Sequence, residues 1–232
     1  MKPLMPHWPA PKHVRAFTTV RDFWGEKSSR LPEERERLVH LLNLPDTPIF
    51  LNQTHSTIAL EALPEHRDHT GDATYTREAN RVCVAMTADC LPVLACNTGG
   101  TVVAATHAGW RGLAGGVVEN TITALNEPFT NLLIWLGPAI GPSKFEVGDD
   151  VYHAFTEHDP AAAVGFKTQP NHKWMADIYT LARHRLVKLG INPANIYGGT
   201  HCTHTESETF YSFRREKDQA GRMASLIWIQ AP

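Results

Sequence analysis

The sequence predicts an α+β fold, a mixed-sheet β core flanked by helices. Two observations carry that prediction. Short apolar strand-like runs and longer amphipathic helical runs follow one another irregularly, and no strict strand–helix–strand alternation points to a doubly wound parallel sheet. Size agrees: a chain of 232 residues is expected to form one domain and to bury roughly 70–75% of its unfolded surface. Such a core needs no disulfide staples.

The elements follow in order. His13–Val20 reads as a strand, and Pro32–Leu42 as a helix with proline at its start and acidic residues in its first turn, where they complement the dipole. Pro48–Asn52 is a short apolar strand, and Leu63–Gly71, polar and carrying Pro64 and two histidines, is a long loop. Val82–Ala88 and Leu91–Cys96 are strands. The turn Asn97–Gly100 leads into a further strand, Thr101–Thr106. Leu113–Leu125 is helical, weakened by Gly115 and Gly116. Leu132–Leu136 is a strand. Asp177–Leu189 spaces Ile178, Leu181, Ala182, Leu186 and Leu189 along one helical face and stops at Gly190. Asn195–Gly198 and Ala224–Ile229 close the chain as strands.

Composition narrows the function classes. The chain is 42% hydrophobic and 20% charged, with a formal net charge of −2, an ordinary globular balance with no electrostatic drive towards nucleic acid or an anionic membrane. The first seven residues lack the apolar stretch of a signal peptide, and no run of about 18 apolar residues is present. Three of the four cysteines, Cys83, Cys90 and Cys96, lie in apolar strand-like text, which suits reduced thiols. A cytoplasmic protein, monomeric or weakly homodimeric, is the expectation.

The segment Thr87–Cys96 and its return through Thr101–His107 carry the first chemical signal. Paired as a hairpin with Cys96 opposite Thr101, the two arms place Cys90 directly across from His107. Their Cβ atoms would then lie about 4.5–5.5 Å apart, on one sheet face, close enough for a sulfur and a ring nitrogen to share one metal ion. Pro92, which has no N–H, is the residue most able to displace that register. A buried structural cysteine beside a core histidine is the competing reading of the same pair.

Two further segments add candidates. Asn52-Gln53-Thr54-His55-Ser56 follows a strand end, where site residues often sit, and offers His55 as a third ligand. A solvated loop histidine is the alternative there. His107-Ala108-Gly109-Trp110-Arg111-Gly112 joins a buried strand to a helix, with Arg111 just ahead of the expected helix start. A helix N-terminus with an arginine fork suits a small oxyanion, although the segment is neither a P-loop nor GxGxxG. Near the C-terminus, His201 and His204 are weakly spaced chelators, and Phe210-Tyr211-Ser212-Phe213-Arg214-Arg215 either stacks a base and holds an anion or forms a sheet edge.

Taken together, these motifs resemble the YfiH family, also called the laccase-domain or peptidoglycan-editing-factor family. They are Gln53-Thr54-His55, Gly71-Asp72-Ala73, Thr87 to Pro92, His107 to Gly112, Gly137 to Gly141, His201-Cys202-Thr203 and Phe210 to Arg215, in this order from about Phe17 to Ile229. The resemblance implies a YfiH-like fold of the cytotoxic-necrotising-factor type. It implies a metal site of His55, Cys90 and His107 holding Zn2+, with Cu2+ the alternative. It also implies purine nucleoside phosphorylase activity on adenosine, inosine and methylthioadenosine, together with adenosine deaminase activity. Nucleoside and phosphate are the expected small-molecule partners, with Arg111 and Asn52 as their expected contacts. Two other activities attach to the family: a peptidoglycan-precursor editing hydrolase, for which a Cys90/His107 dyad would serve, and a copper-dependent polyphenol oxidase. The stretch Met1–Pro11 carries no family motif.

Overall fold

The computed structural model describes residues 2–23 and 32–231, without the side chains of Asp22 and of residues 32–34. Among the described residues, twelve strands form three sheets. The central sheet has six: β2 (Ala59–Glu61), β3 (Ala73–Thr76), β5 (Leu91–Asn97), β6 (Val103–Ala108), β7 (Leu132–Leu136) and β11 (Ile196–Gly198), in the order β11-β7-β5-β6-β3-β2. Its two outer pairs are parallel and its inner pairs antiparallel, so the sheet is mixed. A second sheet, β1 (Val14–Thr18), β12 (Met223–Ile229) and β4 (Cys83–Thr87), is antiparallel throughout. A third, small sheet joins β8 (Glu146–Gly148), β10 (Lys173–Ala176) and β9 (Phe166–Gln169).

Strict alternation along the strands builds the layers. On β5, Val93 and Ala95 face a core shared with α3 (Val117–Ala124), α4 (Asp149–Thr156) and α5 (Ile178–Leu189). Leu94 and Cys96 face the other way, against Val14, Ala85 and Ile227 of the second sheet. That sheet turns Phe17, Val84, Leu226 and Trp228 outward onto Leu38 of α1 (Pro32–Leu42). The order is helix, sheet, sheet, helix. Truncating a fully buried residue such as Leu94 to alanine would cost about 2–5 kcal/mol.

Several expectations stand and others need correction. α5 begins at Asp177, whose carboxylate accepts from the N–H groups of Tyr179 and Thr180, and its C-cap is Gly190. The helix expected over Leu113–Leu125 is two helices, α2 (Trp110–Gly115) and α3, because Gly116 adopts φ +103 between them. Pro48–Asn52 is not a strand and makes only isolated bridges, Ile49 with Cys83 and Asn52 with Thr70. The acidic first turn expected for α1 lies outside the described side chains. The N-terminal stretch, given no role from sequence, docks on β1 through Leu4, which exchanges backbone hydrogen bonds with Thr18. Among the described residues, no helix is long and apolar enough to cross a membrane.

Candidate metal centre

The hairpin forms, but its register is slipped by two residues from the one expected. Pro92, not Cys90, faces His107, and Cys96 faces Val103. The cause is Asn97. Its side-chain oxygen accepts from the N–H groups of Thr101 (2.8 Å) and Val102 (3.4 Å), its amide donates to Thr101 Oγ1 (2.8 Å), and its own N–H donates to Val102 O (3.3 Å), so the four-residue connection is Thr98–Thr101, one residue later than expected. A slip of two leaves side-chain parity unchanged. Cys90 therefore remains on the same face as His107, one step beyond the start of β5 and diagonal to it. Opposite Cys90 stands Gly109, where a Cβ would collide with the His55 ring and come within 3.0 Å of Cys90 Sγ. The glycine makes room for the third donor.

His55 is delivered by a loop that two side chains hold from either side. The Gln53 amide clasps the backbone of β4, donating to Met86 O and accepting from Met86 N, each at 2.8 Å. The Asp72 carboxylate accepts from Thr54 N (3.2 Å), His55 N (3.0 Å), Ser56 N (2.6 Å) and Ser56 Oγ (2.6 Å). His55 itself takes a left-handed φ of +62. Asp72 also accepts from His107 Nδ1 at 2.7 Å, and the two side chains are 0% and 6% exposed. That bond leaves His107 Nε2 to face the site. In the sequence Asp72 stands in the Gly71-Asp72-Ala73 motif with no local signal of this role. β3 had not been read as a strand, and it is the pairing of Ala73 with Thr106 that brings Asp72 beside His107.

One nitrogen each from His55 and His107 and the Cys90 sulfur all lie within 4.8 Å of one another, with Cys90 Sγ 3.7 Å from His55 Nε2. Burial disfavours a charged Cys90. The His107 imidazolium, with a smaller contribution from His55, outweighs burial and brings the thiol down to about 6. Burial likewise opposes charge on His107, but the Cys90 thiolate and then Asp72 raise it. The donor set is thus two imidazoles and a thiol biased to thiolate, a chemistry that fits zinc. Among the described residues it is the single cluster of three such donors.

The cluster opens on a cavity of about 1090 Å³, whose wall includes Asn52, Trp110 and Arg111. Arg111 lies inside α2 and not ahead of it, because the helix starts at Trp110. With only six residues, α2 offers little dipole. What α2 contributes to the wall is the Arg111 guanidinium, held 4.2 Å from the centroid of the Trp110 ring. Asn52 is fixed through its backbone, donating to His69 O and accepting from Gly71 N.

A family model described as multi-copper polyphenol oxidoreductase laccase matches residues 18–230. The Escherichia coli K12 protein named purine nucleoside phosphorylase YfiH is 44% identical over 244 residues, covering 98% of this chain and 99% of that one. The chain belongs to the YfiH family. A Haemophilus influenzae protein named purine nucleoside phosphorylase is 43% identical over 247 residues, covering 99% and 100% of the two chains. The crystal structure of Neisseria meningitidis protein NMB0706 superposes with a TM-score of 0.90 at 42% identity, over 100% of both chains.

In this YfiH-family chain, the remaining motifs divide between scaffold and cavity. Asp89, next to Cys90, sits at φ +83 in a turn, not in a strand. Its carboxylate accepts from Thr203 Oγ1 (2.6 Å), Ser212 Oγ (3.1 Å) and Arg214 N (2.6 Å), tying the Cys90 turn to the C-terminal segment. His201 does not chelate with His204: its Nδ1 is bonded to Glu206 Oε2 at 2.9 Å. Arg215 is structural, donating to Thr203 O, His204 O and Phe210 O. Phe213 and Arg214 line the cavity.

Proposed function

We propose that this chain is a zinc-dependent purine nucleoside phosphorylase acting on adenosine, inosine and methylthioadenosine, with adenosine deamination as a second reaction. The single observation that carries the reading is the convergence of His55, Cys90 and His107 at the wall of one large cavity that also presents Arg111. The names of the 43% and 44% identical relatives support its phosphorylase part.

His55, Cys90 and His107 would hold the ion. When bound, the ion supplies Lewis-acid activation in the cavity. The chain's own residues do the rest. Asp72 keeps the His107 proton on Nδ1 and orders the His55 loop. Arg111, stacked on Trp110, presents a two-pronged donor for inorganic phosphate, and Asn52 offers an amide to the substrate. In phosphorolysis a phosphate oxygen bonds to the ribose C1′ as the C1′–N9 bond breaks and its electron pair leaves with the purine. Deamination instead needs water at C6 of adenine, with ammonia leaving. Asp89 accepts from three donors and holds the Cys90 turn in place.

The polarised Cys90/His107 pair also fits a metal-free cysteine hydrolase acting on a peptidoglycan precursor. A multi-copper oxidase needs more ligands than the one three-donor cluster among the described residues. Purified protein incubated with inosine and phosphate decides among them. Hypoxanthine release that a chelator abolishes and zinc restores supports the phosphorylase. No product from any purine nucleoside sinks it.

A further inference from the structure

The aromatic and basic run near the C-terminus is mostly consumed by the scaffold. Phe210 and Tyr211 are buried, Ser212 bonds Asp89, and Arg215 holds three carbonyls. Phe213 is different. It keeps 45% of its surface exposed, on the wall of the cavity that holds the metal donors. A large aromatic left open inside a concave site is a flat apolar face awaiting a partner.

Its place is tied to those donors. Ser212 Oγ and Arg214 N both donate to Asp89 Oδ2, at 3.1 and 2.6 Å, so the residue between them is pinned to the neighbour of Cys90. Thr203 holds the second oxygen of the same carboxylate at 2.6 Å. The Arg222 guanidinium lies 6.0 Å from the centroid of the Phe213 ring. Arg214, which lines the same cavity, is bonded to Glu146 O at 2.9 Å.

We propose that Phe213 is the platform on which the purine ring of the nucleoside stacks. The inference rests on the phosphorylase reading above and names the subsite of the leaving base. A ribose has no flat π face, and phosphate would seek cations. The fused purine ring is the part of the substrate that an exposed aromatic recognises, whatever its exocyclic groups.

The test is steady-state phosphorolysis of inosine by wild type, Phe213→Ala and Phe213→Trp, with zinc content measured for each. Loss of the platform should raise KM for inosine by about ten- to a hundredfold, leave KM for phosphate and zinc content unchanged, and be rescued by tryptophan. Because Phe213 is half exposed, neither variant threatens the core. An unchanged KM for inosine in Phe213→Ala, or a fall confined to kcat, overturns the platform while leaving the phosphorylase standing. A wild type that releases no hypoxanthine overturns both.

Discussion

Asp72 Oδ1 lies 2.7 Å from His107 Nδ1, both side chains buried, and the same carboxylate gathers the backbone of the His55 loop. One buried acid therefore fixes two of the three proposed metal donors. Replacing it with asparagine keeps the shape but loses the charge and half of the accepting capacity. Asp72→Asn should weaken zinc binding about 10–100-fold, read by competition against a chromophoric chelator. Unaltered affinity would show that the two histidines are held by something else.

Gly109→Ala tests the crowding at the centre. The backbone there (φ −64, ψ 159) accepts alanine, but the new methyl would lie 2.9 Å from His55 Nε2 and 3.0 Å from Cys90 Sγ. The expected outcome is loss of bound zinc with a modest destabilisation of about 1–3 kcal/mol, followed by elemental analysis and thermal unfolding. A fully zinc-loaded variant would contradict the geometry.

Thiol reactivity provides a pH test. In zinc-stripped protein the Cys90 thiol is held down at about 6, so its reactive thiolate is present above that pH and is lost as pH falls through it. Burial pushes Cys83 and Cys96 up to about 12. Iodoacetamide at pH 7, read by peptide mass, should label Cys90 and spare Cys83 and Cys96. Added zinc should protect Cys90. Labelling of Cys90 only above pH 8 would contradict the thiolate–imidazolium pair.

Arg111→Ala should separate the two substrates. Removing a charged donor to phosphate raises KM for phosphate about tenfold or more, with KM for inosine unchanged, as two-substrate kinetics would show. Equal effects on both would move the phosphate elsewhere in the cavity.

Much of this architecture is legible in the sequence, and what is not has physical causes. α5 could be read because its apolar spacing, its Asp177 cap and Gly190 agree with one another. Cys90 and His107 could be proposed from strand parity, which survives a slip of two, although the slip itself could not be foreseen; His55 came only from its place after an apolar run and from the family resemblance. The slip depends on a side chain, Asn97, folding back onto its own turn. The small sheet β8-β10-β9 escaped notice because strands of three and four residues hold too little alternation to register. Asp72 was missed for a tertiary reason: its partners are 35 residues away on β6 and 16 to 18 residues away in a loop. No local spacing records either contact.

The most direct measurement is anomalous scattering at the zinc edge from crystals of the purified protein. The proposed centre predicts one peak, about 2.0–2.3 Å from a nitrogen of His55, a nitrogen of His107 and the Cys90 sulfur. Density for the three side chains with no peak between them, or a peak bound elsewhere, would contradict it.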